Sequence, residues 1–515
     1  MDRRIRRLGI ALVLLFGLLF AQLAYVQVFA AEGIRNNDAN AQRQIIAEYK
    51  VQRGAILTRD LVALATSVDA GPKADYLYRR TYPLGPLYAA ITGYYSRVYG
   101  RSSLEQAMNG YLAGDAPELA ASNLTDLVLG RTKKGASVVT TIDSRLQAAA
   151  QTALGTLPGA VVAIDPQTGD IMAMVANPSY DPNALSSGTS NQMRAAWAKL
   201  NADPEKPLLS RAKDELYLPG STFKTITASA ALENGYGPES RWPNPHELDL
   251  PLTDGTLQNF GNELCSGGAK TVSMAEAFRQ SCNVTFGEIG LALGPEKLQA
   301  QAEAYGFCPT DPPEQTTCIQ NTIPFVIPFQ TGRFPIPAYF AQNDPLLAFS
   351  AIGLDNVLTN PLQMALVAAA IANKGTEMTP RLVREIRAPD NSVIKEFAPQ
   401  VYGQPISAES ARALREMMIS VVENGTGYSA QVPDSTVAGK TGTATNGPGN
   451  PPNAWFVAFA NAGPGQDPRI AVAVIVLDGG DLGNEATGGR VAAPIAADVI
   501  DACLNRGACP PRTSG

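Results

Sequence analysis

The chain has 515 residues, 45% apolar and 17% charged, with a formal net charge of -6; it is long enough for a small domain beside one with a large core, and it offers no basic face for nucleic acid. Its single histidine, His246, lies in the Pro-rich stretch Trp242-Pro243-Asn244-Pro245-His246, which reads as a surface loop. That leaves no histidine cluster for a metal and no Ser-His-Asp triad, so serine chemistry in this chain needs another base.

In chain order, Arg3, Arg4, Arg6 and Arg7 precede an uncharged apolar run from Leu8 to Ala31. As a helix this run crosses a hydrocarbon core of roughly 30 Å. It exceeds the roughly 7 to 15 residues of a signal-peptide core, which favours a retained anchor over a cleaved leader in spite of the small Ala30 and Ala31. The arginines place residues 1–7 in the cytoplasm and everything after Glu32 outside, as in a single-pass protein of the cell membrane.

Residues 32–158 read as a separate mixed α/β module, with short β-like runs (Ala55-Ile56-Leu57; Val138-Val139-Thr140-Thr141-Ile142) and a Gly/Tyr-rich middle from Tyr82 to Gly110. The pattern changes at residue 159. The apolar run Gly159 to Asp165, turn chemistry at Asp165-Pro166-Gln167-Thr168-Gly169-Asp170 and a second run from Ile171 to Ala176 predict a β-hairpin. Helical patterns follow at Pro361 to Ala372, Ala408 to Glu423 and Ala493 to Leu504, and strands at Ala454 to Ala460 and Ile470 to Leu477. Strands from both ends of a domain with helices from its middle make an α/β arrangement over 159–515. An exported body also makes the six cysteines, Cys265, Cys282, Cys308, Cys318, Cys503 and Cys509, disulfide candidates. Sequence neighbours are the simplest pairing: Cys265 with Cys282, Cys308 with Cys318, and Cys503 with Cys509. Buried thiols are the alternative, for Cys282 above all.

The chemistry sits in the middle of that domain. In Tyr217-Leu218-Pro219-Gly220-Ser221-Thr222-Phe223-Lys224, Pro and Gly end an extended stretch and Ser221 opens a helix that stops at Asn234-Gly235. Serine is a favoured helix cap, but capping does not account for Lys224. Three residues on, that lysine shares the serine's face, so its amine can reach the Ser221 oxygen, and burial makes it a useful base. The helix N-terminus adds partial positive charge where an oxyanion would form. Two further elements strengthen the reading. Ser281-Cys282-Asn283 follows the helix-like Met274 to Gln280 and sets a hydroxyl beside a carboxamide. Lys440-Thr441-Gly442-Thr443 lies in an alternating β-like run from Val437 to Thr445, where Gly442 lets a substrate approach the backbone.

These three elements resemble the S-x-x-K, S-x-N and K-T-G motifs of penicillin-binding proteins, with Cys282 where the related S-D-N triplet has Asp. The chain as a whole, from about residue 50 to about residue 500, is similar to class B penicillin-binding proteins. Arg53-Gly54-Ala55-Ile56, Tyr82-Pro83-Leu84-Gly85, Thr140-Thr141-Ile142-Asp143, Ala368-Ala369-Ala370-Ile371-Ala372-Asn373 and Ala454-Trp455-Phe456 match segments of that family, while Thr58 stands where it commonly has Asp. The resemblance implies an antiparallel sheet with flanking helices and an all-helical subdomain, set on an N-terminal pedestal or dimerisation domain (32–158) behind one transmembrane helix (8–31). It implies a D,D-transpeptidase without cofactor or metal. Ser221 would attack a peptidoglycan stem peptide ending in D-Ala-D-Ala, expel D-alanine and pass the acyl group to an amine; β-lactams would acylate the same serine.

Carried over by motif, Lys224 accepts the serine proton, Ser281 relays it to the leaving amine and Asn283 holds the substrate amide. Lys440 supplies positive charge, Thr441 and Thr443 receive the terminal carboxylate, and the backbone N–H groups of Ser221 and Thr443 form the oxyanion hole. A D,D-carboxypeptidase differs only in sending the acyl group to water. A β-lactamase is disfavoured by the pedestal and by the lack of an evident deacylating Glu, a non-catalytic scaffold by the intact Ser221, Lys224 and Lys440, and a β-lactam sensor by the short segment before Leu8. No glycosyltransferase domain fits before residue 159, so the resemblance implies a membrane glycosyltransferase partner of the shape, elongation, division and sporulation type.

Overall fold

The computed structural model describes residues 3–28, 48–72, 76–119, 132–250, 253–311, 323–341, 343–445, 447, 449–463 and 465–509. The N-terminal segment is one 26-residue helix, Arg3–Val28, about 39 Å long at 1.5 Å per residue. Residues 4–26 are long and apolar enough to cross a membrane. The expected run to Ala31 ends beyond it, since residues 29–31 lie outside the described residues.

The larger, C-terminal half is built on a five-stranded antiparallel sheet in the order Thr436–Thr445, Pro452–Asn461, Ile470–Val476, Gly159–Ile164, Ile171–Asn177. An antiparallel sheet commonly leaves one face to solvent and then alternates apolar with polar residues. Here both faces are covered, so the strands read as continuous apolar runs. Ala160, Val162 and Ile164 join the core cluster that holds the wholly buried helix Pro361–Ala372. Val161 and Ala163 join the opposite cluster, with the helices Ser144–Leu154 and Ala493–Leu504. The predicted hairpin at 159–176 and all three predicted helices are present.

Thr140-Thr141-Ile142-Asp143 ties the two halves together. Thr141 Oγ1 lies 2.8 Å from Ile171 O and 2.9 Å from Arg381 O, and Asp143 caps the helix Ser144–Leu154 by accepting from Arg145 N. On that helix, buried Gln147 bonds both the N–H and the C=O of Met174 at 2.8 Å. It thereby occupies the open edge of the sheet, which would otherwise present unpaired backbone groups.

The N-terminal module is less separate than its sequence suggests. Its six-stranded sheet runs Val393–Glu396, Val383–Arg387, Ser137–Thr140, Ile56–Leu57, Ala63–Asp69, Tyr78–Thr81. Two of those strands come from the far side of the catalytic domain. Thr58, which replaces the family's common Asp, is buried and its hydroxyl accepts from Val62 N at 2.8 Å. Nearby, Asp60 accepts from the backbone N–H and the hydroxyl of Ser144. The structure bonds Cys265 to Cys282 and Cys503 to Cys509; Cys308 is also disulfide-bonded, while its expected partner Cys318 lies outside the described residues.

Two of the quoted pedestal residues, Arg53 and Tyr82, meet Arg80 at one buried carboxylate. Glu105 is 0% exposed; Arg53 Nε donates to its Oε2 at 2.7 Å, Arg80 Nε to its Oε1 at 2.6 Å and the Tyr82 hydroxyl to Oε1 at 3.1 Å. Burial alone would raise the Glu105 pKa, but the charges of Arg80 and then Arg53 overcome it and hold the group below the ordinary carboxylate range. Replacing Glu105 by Ala leaves Arg80 without its carboxylate and Arg53 with only Glu48, at 3.6 Å, as counter-charge, and removing one partner of such a buried set costs about 3 to 5 kcal/mol. We expect Glu105→Ala to lower the unfolding free energy by that amount in urea denaturation; a loss under 1 kcal/mol would mean the cluster contributes no structural restraint.

Candidate active site

The turn that carries Ser221 is placed by contacts on three sides. Gly220–Phe223 forms a short 3₁₀ turn that continues as the helix Lys224–Glu233, so Ser221 lies inside the turn and Pro219 takes the capping position. Trp455 Nε1 donates to Leu218 O at 3.0 Å and Gly220 N to Gly353 O at 2.9 Å. Gly220 has φ +53, and a Cβ there would lie 2.7 Å from Thr443 O; only glycine adopts that conformation freely. On the strand Thr436–Thr445, a Cβ at Gly442 would lie 2.8 Å from Pro219 O and 2.9 Å from Thr222 Cγ2. The bare Gly442 therefore admits the protein's own Ser221 turn, where the sequence suggested room for substrate. Ser221 lines the resulting cleft and its hydroxyl has no hydrogen-bond partner among the described residues.

Behind this surface, two lysines converge on Ser281. Both Lys224 and Lys440 are 0% exposed. Lys224 Nζ donates to Ser281 O and to Asn283 Oδ1, each at 2.7 Å, and lies 3.4 Å from Ser281 Oγ. Lys440 Nζ donates to the same Ser281 Oγ at 2.8 Å and to Thr441 O at 3.0 Å. Spacing alone predicts a Lys224 amine turned to Ser221; in the structure its hydrogen bonds go to the Ser281-Cys282-Asn283 segment. Burial, followed by the nearby Lys440 charge, pushes the Lys224 pKa well below its ordinary value, and burial brings Lys440 to about 7.

Ser281 reaches the lysines because it ends the helix Met274–Gln280 in the left-handed region (φ 64, ψ 39), where the Cys282 N–H turns back to Ala277 O. Asn283 then opens the helix Asn283–Leu293. Asn259 fixes that start, its Oδ1 accepting from the N–H groups of Asn283 (2.7 Å) and Val284 (3.1 Å). The Cys265–Cys282 disulfide joins the same two segments.

Ser221, Ser281, Asn283, Thr441, Gly442 and Thr443 all line one cleft of about 360 Å³, with the two lysines beneath its wall. A larger depression of about 960 Å³ lies on the pedestal, lined by none of these residues. The Thr441 and Thr426 hydroxyls are 2.7 Å apart, and Gly488 N donates to Thr443 Oγ1 at 3.3 Å. Asn259, Glu263, Thr426 and Thr487 also line the cleft, and sequence reading singles out none of them. Thr426 follows Asn424-Gly425, a turn signal with no chemical signature. His246 is exposed and is absent from the cleft lining.

The chemistry available here is proton transfer to and from a serine without histidine, and relatives with this arrangement are known. Residues 159–501 match the family model of the penicillin binding protein transpeptidase domain, and residues 53–138 that of the penicillin binding protein A dimerisation domain. The chain is 41% identical to the peptidoglycan D,D-transpeptidase PbpA of Mycolicibacterium smegmatis, over 98% of this chain and 100% of that one. The structure superimposes on penicillin-binding protein A of M. tuberculosis, described as a ceftriaxone acyl-enzyme complex, with a TM-score of 0.80, 37% identity and coverage of 89% of this chain and 100% of that one. The penicillin G acyl-enzyme complex of the same protein gives a TM-score of 0.77, 36% identity and coverage of 88% and 100%. A transpeptidase model that spans more than half of the residues and a relative alike over nearly the full length lead to one conclusion: this chain belongs to the class B penicillin-binding proteins and is a serine-type peptidoglycan D,D-transpeptidase.

Proposed function

We propose that Ser221 is the nucleophile and Lys224 its base, with stem peptides ending in D-Ala-D-Ala as donors. The observation that carries this assignment is the environment of Lys224 Nζ. Its two partners at 2.7 Å, a carbonyl and a carboxamide oxygen, can only accept. They use both N–H bonds of a neutral amine and leave its lone pair for the Ser221 proton. The Ser221 oxygen attacks the penultimate carbonyl, and the N–H groups of Ser221 and Thr443 stabilise the oxyanion. When the C–N bond breaks, the leaving amine takes a proton from Ser281 Oγ, which Lys440 replenishes across 2.8 Å. Asn283 holds the donor amide while Thr441 and Thr443 take the terminal carboxylate. An amine then attacks the ester and returns the proton by the same route, and a β-lactam stops the cycle at the acyl-enzyme.

On this reading residues 1–7 are cytoplasmic and 8–31 span the cell membrane. Residues 32–158 form the pedestal, and 159–515 the extracytoplasmic catalytic domain, with the strands at 383–396 lent back to the pedestal. The apolar helix and pedestal are the docking surface for a membrane glycosyltransferase. Because the pedestal sheet needs those lent strands, the test keeps it whole: replacing residues 3–28 by an unrelated apolar helix lowers co-purification of the polymerase at least severalfold, and protease added to intact protoplasts removes the penicillin-labelled body. Unchanged recovery and full protection would refute the docking and the orientation respectively.

Ser221→Ala abolishes covalent labelling by a fluorescent penicillin with the unfolding midpoint retained, and Lys224→Ala slows labelling by about 10² to 10⁴-fold, the scale of a lost general base. Undiminished labelling of Ser221→Ala would sink the assignment. The reaction also has a definite pH dependence. Lys440 donates only while protonated, so the acylation rate falls as pH rises through about 7, whereas burial and then the Lys440 charge lower the Lys224 pKa well below its ordinary value and favour the neutral base. Lys440→Arg moves the falling limb out of range, because guanidinium stays charged. A wild-type rate that keeps climbing above neutrality would remove Lys440 from the donor role.

A further inference from the structure

Among the described residues, the cleft around Ser221 has a single formal charge on its surface. Of the residues that line it, Glu263 alone is charged, since Lys224 and Lys440 are both 0% exposed beneath the wall. The Glu263 carboxylate is exposed, and among the described residues it has no hydrogen-bond or ion-pair partner. Its backbone is nonetheless held in place. Asn259 Nδ2 donates to Glu263 O at 3.0 Å while Asn259 Oδ1 holds the start of the Asn283 helix. Two residues on, Cys265 is bonded to Cys282, and its carbonyl accepts from Asn244 Nδ2 at 2.8 Å. The loop that presents Glu263 is therefore anchored to the segment that supplies Ser281 and Asn283. Phe260 (70% exposed) and Leu264 (42% exposed) line the same cleft. Exposed apolar surface interrupted by one carboxylate complements an aliphatic chain that ends in an ammonium group.

Transpeptidation takes an amine as acceptor, and an aliphatic amine with a pKa near 10.4 arrives as a cation at neutral pH. We propose that Glu263 is a specificity-determining residue that draws an aliphatic ammonium group of the substrate into the cleft. The inference rests on Ser221 as the nucleophile. Glu263 takes no proton in the reaction; it raises the local concentration of the cation and disfavours anionic partners. The same ammonium chemistry is available on the acceptor or on a side chain of the donor peptide.

The test uses the full chain, wild type and Glu263→Gln, with a D-Ala-terminated thioester donor whose side-chain amine is either free or acetylated. The acyl-enzyme is partitioned between water and either a cationic amine or hydroxylamine, which is uncharged near neutral pH. Wild type prefers the charged form in one of the two comparisons, and the preference shrinks with added salt. Glu263→Gln lowers that preference by about threefold, the scale of an exposed ion pair, and Glu263→Lys lowers it further. A change in the acceptor ratio assigns the site to the acceptor, and a change in the donor ratio to the donor. Each ratio is taken within one protein, so a misfolded fraction cancels. Both ratios equal to wild type, or a wild type indifferent to charge, overturns the proposal. Absence of any acylation at Ser221 by either donor is a distinct result, which overturns the nucleophile assignment and this proposal with it.

Discussion

The active site depends on burying two amines beside one hydroxyl. A lysine in water is charged and useless as a base near neutrality, and removing a lone ammonium from water is costly enough that such a group loses its proton instead. Lys224 and Lys440, both 0% exposed and both within 3.4 Å of Ser281 Oγ, use that cost. Each also lies 5.6 Å from an aromatic ring centroid, Lys224 over Phe286 and Lys440 over Phe278, a contact that favours the cation once formed. The site thus tolerates one positive charge shared between two amines and disfavours two. Under the proposed assignment, that lets a proton move in one direction during acylation and back during transfer.

Holding those amines in place explains much of the surrounding architecture. Lys440 comes from the edge strand Thr436–Thr445 of the five-stranded sheet and Lys224 from the helix Lys224–Glu233 packed beside it. The two meet only because glycines at 220 and 442 let the turn and the strand approach within van der Waals distance. Ser281 joins them through a left-handed backbone position between two helices. The pedestal belongs to the same construction. Its sheet continues through strands at 383–396, and Thr141 bonds carbonyls on both sides of the junction. The junction thus meets the catalytic sheet at Ile171, the first residue of its edge strand Ile171–Asn177.

The sequence by itself determined whatever local spacing and patterning express. Ser221 and Lys224 share one turn of chain, Lys440 to Thr443 share one strand, and the apolar runs at 159–165, 171–176, 454–460 and 470–477 announce buried strands because successive residues enter a core on either face. The absence of a usable histidine was legible too, and so was the apolar N-terminal helix. Only tertiary structure decided what those groups touch. The partners of Lys224 are the Ser281 carbonyl and the Asn283 carboxamide from a distant segment, the space at Gly442 is filled by the Ser221 turn, and the pedestal borrows strands from residues far along the chain. Asn259, Glu263 and Thr426 enter the site with no local signature, because a side chain's role there follows from packing between segments distant in sequence, which neither periodicity nor propensity encodes.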